Sequence, residues 1–424
     1  MTPSRWCPND SYYTFFIPLQ TFTFHLNYAC YSIVSCGKIT HMTYPNVAQF
    51  ALLLLPLSGL AQSKEKWIDA PKSAWPQIAL INTVQFKNGD RYIDPSFSYA
   101  GTGFLIDNGH DTLAATAKHA LWIAKNKKSK SVEINAELKE WVMRPKGNTR
   151  DSAIMDRLLN EDPNEVLEGR GSSVTERDWI VFSVKKSSAQ IYPLKPRYTP
   201  LTPGEKVYIL SYAYSDSTTM IYEGTVLRKL GMDILIERNM QDHKGGSSGS
   251  PVIDANGFLI GIISSSSSDS KTGKGVSVAI STEYLANVLN KKQGLNAPKK
   301  DYGELLLKTA QERNAKAVIK QYLQLIQDPQ NYYTYNLRSS DRNGLRETGI
   351  KLMEMKRFQD AVEILQFNAR ENSNFYLNYN LLAEAQLLLG DKTGAIKSYQ
   401  ISTLKFTDPQ ENEAFQALKK LMDK

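Results

Sequence analysis

From about Ser73 onward, apolar and polar residues alternate in short runs that break at Asn-Gly pairs. INTVQF-KNGD-RYI, TGFLID-NG-HDTLAAT and VID-ANG-FLIGIIS each place such a pair between apolar runs. Asn-Gly tolerates the positive φ angles that tight hairpins need, so the pattern predicts paired strands. KVYILSYAY (206–214), TVLRKL and DILIER add strand-like runs, bounded by Pro203-Gly204, Gly224 and Gly231. An all-β region reaching about Ile280 is expected. Residues 137–176 interrupt it, being polar, poor in strand formers and helix-leaning. TEYLANVLNKK (282–292) predicts a closing helix, and residues 293–301 read as a linker.

At Tyr302 the pattern changes. The chain becomes rich in Leu, Ala, Glu, Lys and Gln and predicts helices. Two segments align at a spacing of 34 residues: Gly349 with Ala383, Met353 with Leu387, Lys356 with Gly390, Ala361 with Ala395, and Leu365 with Tyr399. Small residues at the 349/383 and 361/395 positions let the two helices of a hairpin approach closely. The period resembles that of tetratricopeptide repeats. RFQDAVEIL and KTGAIKSY would be second helices and ENEAFQALKKLM a capping helix. Residues 303–327 read either as a degenerate third unit or as a packing helix. Such an array offers a concave groove to a protein partner and is assigned recognition rather than chemistry.

A chain of 424 residues exceeds one ordinary hydrophobic core, so more than one domain is expected. The net charge of +8 is a mild basic bias. The densest cationic cluster is Lys125, Lys127, Lys128 and Lys130, which reads as a solvated loop and not as a nucleic-acid track. The three cysteines, Cys7, Cys30 and Cys36, all lie near the start. VAQFALLLLPLSGLAQS (47–63) has the shape of a secretory signal core, with cleavage near Ala61 and translation starting at Met1 or Met42. The mature chain would be exported, periplasmic or secreted, without a cysteine, a disulfide or a stable membrane span. The divisions are therefore an upstream segment and signal peptide over 1–61, a β domain over 73–292, a linker over 293–301 and a helical domain over 302–424.

The chemistry concentrates in HKGGSSGSPVID (243–254). Gly245 to Gly249 fits G-x-S-x-G, which points to Ser247, whereas Gly246 to Pro251 fits G-x-S-G-x-P, which points to Ser248. A serine nucleophile needs a base and an acceptor that orients it. The five histidines are His25, His41, His110, His119 and His243. The elbow of α/β-hydrolases needs a histidine after the serine, and none follows, so the first parse fails. His110 follows an Asn-Gly turn and reads as an exposed hairpin tip. TAKHA (116–120) and RDWIVFSV (177–184) supply His119 and Asp178 ahead of Ser248.

That order, with GTGF (101–104) before the histidine, resembles the chymotrypsin-like (trypsin fold) serine proteases over roughly residues 77–290. TAKHA resembles their T-A-A-H-C box, RDWIVFSV the D-I-A-L box and GSSGSP the G-D-S-G-G-P box. The resemblance implies a double six-stranded barrel ahead of the helical repeats. It also implies a catalytic triad of His119, Asp178 and Ser248, with the N–H groups of Gly246 and Ser248 as oxyanion hole. IGIIS (260–264) resembles the strand that bonds the substrate backbone, ending at Ser264, and GKGVSV (273–278) the strand closing the primary pocket. Ser266 and Gly275 would leave the pocket mouth open. Asp242, six residues before Ser248, would select Arg or Lys if buried; His243 or Lys244 could neutralise it, or it lies in an exposed loop.

The chain departs from the family in places. Ser247 and Ser250 replace residues of the family's serine box, and the I-V-G-G activation sequence is absent. G-S-P after the serine resembles bacterial branches, notably glutamyl endopeptidases, but Ile263 stands where those carry a histidine, which disfavours acidic specificity. With no H-E-x-x-H, no cysteine pair and no phosphate loop, no cofactor and no metal are expected. The partners expected are a protein or peptide substrate and a protein at the repeats. The competing reading is a catalytically silent scaffold that binds proteins through the repeats.

Overall fold

The protein is described by a computed structural model covering residues 63–89, 99–125, 131–167, 177–239, 245–268, 274–292, 294–297, 299–337, 344–371, 376–405 and 413–422. The expected signal core up to Gln62, all three cysteines, and Asp242, His243 and Lys244 lie outside the described residues.

Two closed antiparallel barrels form the β region. The first runs β1 (Leu80–Phe86), β2 (Thr102–Asp107), β3 (Thr112–Thr116), β8 (Ile180–Ser187), β6 (Ala153–Leu158) and β5 (Leu138–Arg144). The second runs β10 (Met220–Leu230), β11 (Asp233–Asn239), β14 (Lys274–Ser281), β13 (Leu259–Ser268), β12 (Pro251–Asp254) and β9 (Lys206–Ser211). A two-stranded sheet of β4 (Ser131–Val132) and β7 (Asp162–Val166) stands outside both. Closure leaves neither barrel an open edge. The Asn-Gly turns behave as their chemistry requires: Gly109 takes φ +87°, and the Asn108 side chain accepts the N–H groups of His110 and Asp111 at 2.8 and 2.7 Å. His110 is exposed at this tip.

The helix-leaning expectation for residues 137–176 is wrong where the chain is described. β5, β6 and β7 occupy that stretch, and β5 pairs along most of β1. In LKEWVMR Lys139 and Glu140 are exposed while Trp141 and Met143 fill the first barrel. Pairing and burial of two large side chains override the polar composition. Lys125 also differs from the solvated loop expected of it. It is buried, and its ammonium donates to the carbonyls of Ser131 and Glu133 at 2.5 and 2.7 Å. Burial lowers its pKa, against the opposing pull of Glu137, Glu133 and Glu161.

The first barrel is filled by aliphatic side chains together with Phe86, Trp141 and Phe182, the second by aliphatic ones, and a third cluster lies between them. That cluster includes Phe104, Trp179, Leu210, Tyr212, Ile262 and Ile280. The Trp179 indole packs edge-on against Phe104 and donates to the Ile280 carbonyl at 3.0 Å. Burial of this large apolar seam sets how the barrels meet, and with them the crevice between.

A single turn, α1 (Leu121–Ala124), follows β3, and α2 (Thr282–Leu289) closes the β region as expected, capped by the Ser281 hydroxyl. A helical array follows: α3 (Tyr302–Glu312), α4 (Ala315–Gln327), the single turn α5 (Asn331–Thr334), α6 (Gly344–Glu354), α7 (Phe358–Glu371), α8 (Tyr376–Leu389), α9 (Lys392–Lys405) and α10 (Glu413–Met422). α7 and α9 begin 34 residues apart, at Phe358 and Lys392. Lys356 and Gly390, equivalent in that register, both end a first helix in the left-handed region, at φ +60° and +92°. The array docks on the second barrel through Tyr333, whose hydroxyl meets Lys229 and Glu283 at 2.9 and 2.8 Å.

Candidate active site

β3 and β8 pair with Thr116 opposite Ile180. In an antiparallel pair, the residues leaving one strand therefore lie beside those entering the other. His119 sits in the single 3-10 turn Lys118–Ala120 after β3, and Asp178 lies just ahead of β8. The Lys118 N–H donates to the Asp178 carbonyl at 3.2 Å. Ser248 comes from the other barrel, in the stretch 245–250 that leads into β12. There the Ser250 N–H and hydroxyl both reach the Ser247 carbonyl, at 3.1 and 2.6 Å.

Two glycines of that loop are required by geometry. Gly246 takes φ +98° and Gly249 φ +81°. A Cβ on Gly246 would come within 2.9 Å of the Tyr214 nitrogen. One on Gly249 would overlap the Thr102 carbonyl and the Thr116 hydroxyl. Only glycine meets both demands.

The three side chains form a line across the crevice. His119 Nδ1 is 2.6 Å from Asp178 Oδ2, and His119 Nε2 is 2.7 Å from Ser248 Oγ. An ionised carboxylate only accepts, which assigns the proton to Nδ1 and leaves Nε2 to accept the Ser248 hydroxyl. Asp178 is fully buried and gathers two further donors, the His119 backbone N–H to Oδ1 at 2.7 Å and the Ser264 hydroxyl to Oδ2 at 2.6 Å. Three donors satisfy a buried charge that would otherwise be costly. The His119 ring and Ser248 are half-buried, so the reactive end of the line meets solvent. Among the described residues, neither the Gly246 nor the Ser248 N–H is committed to a backbone acceptor.

The residues expected on the substrate side fall as follows. Ser264 turns its hydroxyl inward to Asp178. Ser266 lies opposite Ser277 in the β13–β14 pair, their hydroxyls 3.2 Å apart. Gly275 lies opposite Ser268 and Arg238. Asp242 is outside the described residues.

Two features escaped sequence reading. Arg238 is buried at this end of the second barrel, donates to Ser277 Oγ at 2.7 Å and stacks over the Tyr222 ring at 5.0 Å. Its signal was its phase, since it alternates with the buried Ile234 and Ile236 of DILIER. Lys118, beside His119, is buried and bonded to Glu165 at 2.7 Å, a pairing no local spacing announces. Among the described residues, no group of three or more His, Cys, Asp and Glu could hold a metal ion. No helix among them is long and apolar enough to cross a membrane.

Residues 101–262 match the family described as trypsin-like peptidase domain. Among solved structures, the chain is similar to the active form of the Rv3671c protease from M. tuberculosis, at 14% identity over 55% of this chain and 88% of that one, with a TM-score of 0.35. It is similar also to the inactive form of that protein carrying a serine-to-alanine substitution, at 14% identity over 52% and 88%, with a TM-score of 0.31. No curated protein matches the chain.

Proposed function

We propose that this trypsin-like peptidase domain is an active serine endopeptidase, that the chain is exported, and that its helical array recognises protein substrates or partners. The observation that carries the reading is the line Ser248 Oγ, His119 Nε2, His119 Nδ1, Asp178 Oδ2, with contacts of 2.7 and 2.6 Å. A serine hydroxyl is a weak nucleophile at neutral pH, and this arrangement supplies what it lacks, a base within reach and a buried acceptor orienting that base.

In this reading Ser248 Oγ attacks the carbonyl carbon of a peptide bond while its proton passes to His119 Nε2. Asp178 stays ionised and stabilises the imidazolium. The oxyanion faces the N–H groups of Gly246 and Ser248, each such donor being worth about 3 kcal/mol. His119 then protonates the leaving amine, the C–N bond breaks and an ester forms on Ser248. A water gives a proton to His119 and attacks that ester, releasing the new carboxyl group and restoring the hydroxyl.

Export is supported by the apolar run and small residues over 47–63. A tetratricopeptide-like role for the array is supported by the 34-residue register and the matching left-handed residues Lys356 and Gly390. Substrate contacts are assigned to Ser264, Ser266 and Gly275 of β13 and β14 and to Asp242.

The test is covalent labelling with a fluorophosphonate. The purified protein should label at one serine, and Ser248→Ala should abolish the label. Labelling of Ser248→Ala at the wild-type rate would refute the assignment. A wild-type protein that never labels would favour the silent scaffold.

A further inference from the structure

The residues immediately before His119 and Asp178 grip the same carboxylate. Lys118 Nζ is 2.7 Å from Glu165 Oε2, and Arg177 Nε is 2.7 Å from Glu165 Oε1. The side chains of Lys118 and Glu165 are 0% and 1% exposed, and that of Arg177 is 15% exposed. Glu165 belongs to β7, outside both barrels. The same ammonium donates to the Tyr284 hydroxyl of α2 at 3.1 Å and lies over that ring. Tyr284 donates in turn to Asn296 at 2.8 Å, and Asn296 donates back to Asp162 of β7 at 3.0 Å. Arg177 also reaches the Ala297 carbonyl at 3.3 Å.

A buried ion pair is a poor source of net stability, because removing the charges from water cancels most of their attraction. Three charges converging here call for another reason, and position provides it. Neighbouring Cα atoms are held at about 3.8 Å. Tethering the side chain of residue 118 therefore restrains the backbone of His119, and tethering residue 177 restrains Asp178. The two backbones already meet through the bond from Lys118 N–H to the Asp178 carbonyl and the one from His119 N–H to Asp178 Oδ1. Glu165 closes the far side of that small loop. Its two oxygens set the separation of the turn carrying the base from the segment carrying the acid.

Resting on the reading that His119 and Asp178 act on Ser248, we infer that Glu165 is a positioning residue. With Lys118 and Arg177 it forms a clamp that holds the His119–Asp178 contact in register. It touches no reacting atom and works through the two loops it joins. Its place outside the barrels means that the β4–β7 sheet contributes to the site without lining it.

The test uses the full chain and the variants Glu165→Gln and Glu165→Gln with Lys118→Met. The second removes one cation together with the carboxylate, which limits unfolding caused by uncompensated charge. Hydrolysis of a short peptide ester gives kcat and KM. Proton NMR follows the low-field resonance of the His119 Nδ1–H, which reports its bond to Asp178. Both variants should show kcat at least tenfold lower, KM within about twofold, and a shifted or broadened resonance. The double variant should regain thermal stability without regaining kcat. A folded Glu165→Gln with wild-type kcat and an unmoved resonance would overturn the clamp, as would a double variant that recovers kcat along with stability. A wild type that turns over no ester defeats the functional reading, and the resonance then still decides the clamp.

Discussion

The N–H of Thr102, on the first barrel, donates to the carbonyl of Ser248, on the second, at 2.8 Å. The Thr102 hydroxyl lies 2.9 Å from the Gly246 carbonyl and 3.1 Å from that of Tyr212. One residue of the GTGF run thus fastens the serine loop of one barrel to the wall of the other. Replacing Thr102 by Val keeps the shape and removes the hydroxyl, which takes a donor from the Gly246 carbonyl and the acceptor at 3.2 Å from the Tyr212 N–H. A loss of roughly 1–3 kcal/mol is expected in urea unfolding. Fluorophosphonate labelling should slow as the loop loosens, and equal stability and labelling would contradict this role.

The two serines of the loop separate cleanly. Ser247→Ala should label within about tenfold of wild type, because Ser248 keeps the bond from its hydroxyl to His119. Asp178→Asn should lower the labelling rate by on the order of 10⁴, since the amide favours the wrong imidazole tautomer. Rates taken by quenched labelling and mass analysis decide both.

Gly249→Ala tests the packing of the same loop. The new methyl would overlap the Thr102 carbonyl and the Thr116 hydroxyl, and the residue would keep φ near +81°. Overpacking and left-handed strain together predict a loss of roughly 2–5 kcal/mol. A thermal melt within a degree of wild type would rule this out.

An acid-dependent contribution is expected away from the site. Arg197 bonds Glu205 at 2.7 Å and Asp254 at 3.0 Å, joining the segment before β9 to the end of β12. Burial raises the Glu205 pKa, but hydrogen bonds from Arg197 and Thr202 outweigh it, and the carboxyl ends below its usual value of 4.5. A carboxyl depressed by folding stabilises the fold above its unfolded pKa. That contribution is lost as the pH falls from about 4.5 through the lower folded value. Arg197→Gln should therefore flatten part of the fall in melting temperature below pH 5 while also lowering stability at pH 7. Parallel curves for the two proteins would dismiss the idea.

The helical array is expected to serve recognition. A chain ending at Thr334 keeps the Tyr333 contacts with Lys229 and Glu283 and loses α6 to α10. Its kcat on a short peptide ester should stay within about twofold of wild type, and its binding to a protein target of the full chain should fall at least tenfold. Equal losses on both would assign the array to the catalytic fold itself.

Chain order, read together with the family resemblance of the flanking boxes, chose among the candidates. The absence of a histidine after His243 removed the Ser247 parse, and the placement of TAKHA and RDWIVFSV ahead of GSSGSP singled out His119, Asp178 and Ser248. The Asn-Gly turns marked the β2–β3 and β12–β13 hairpins, because that dipeptide carries its own backbone preference. The 34-residue register was equally legible, being local to each helix pair.

Tertiary structure decided everything that depends on partners distant in the chain. β5 and β6 are strands because β1 and β8 lie beside them, not because their residues prefer extended backbone. Lys125 is buried because two carbonyls await it. The inward turn of Ser264, the placement of Arg238 under Ser277 and the grip of Lys118 and Arg177 on Glu165 all join residues many positions apart. A sequence states which groups are present and in what order. Whether a buried charge finds its counterpart is settled only when distant segments close around it and water leaves.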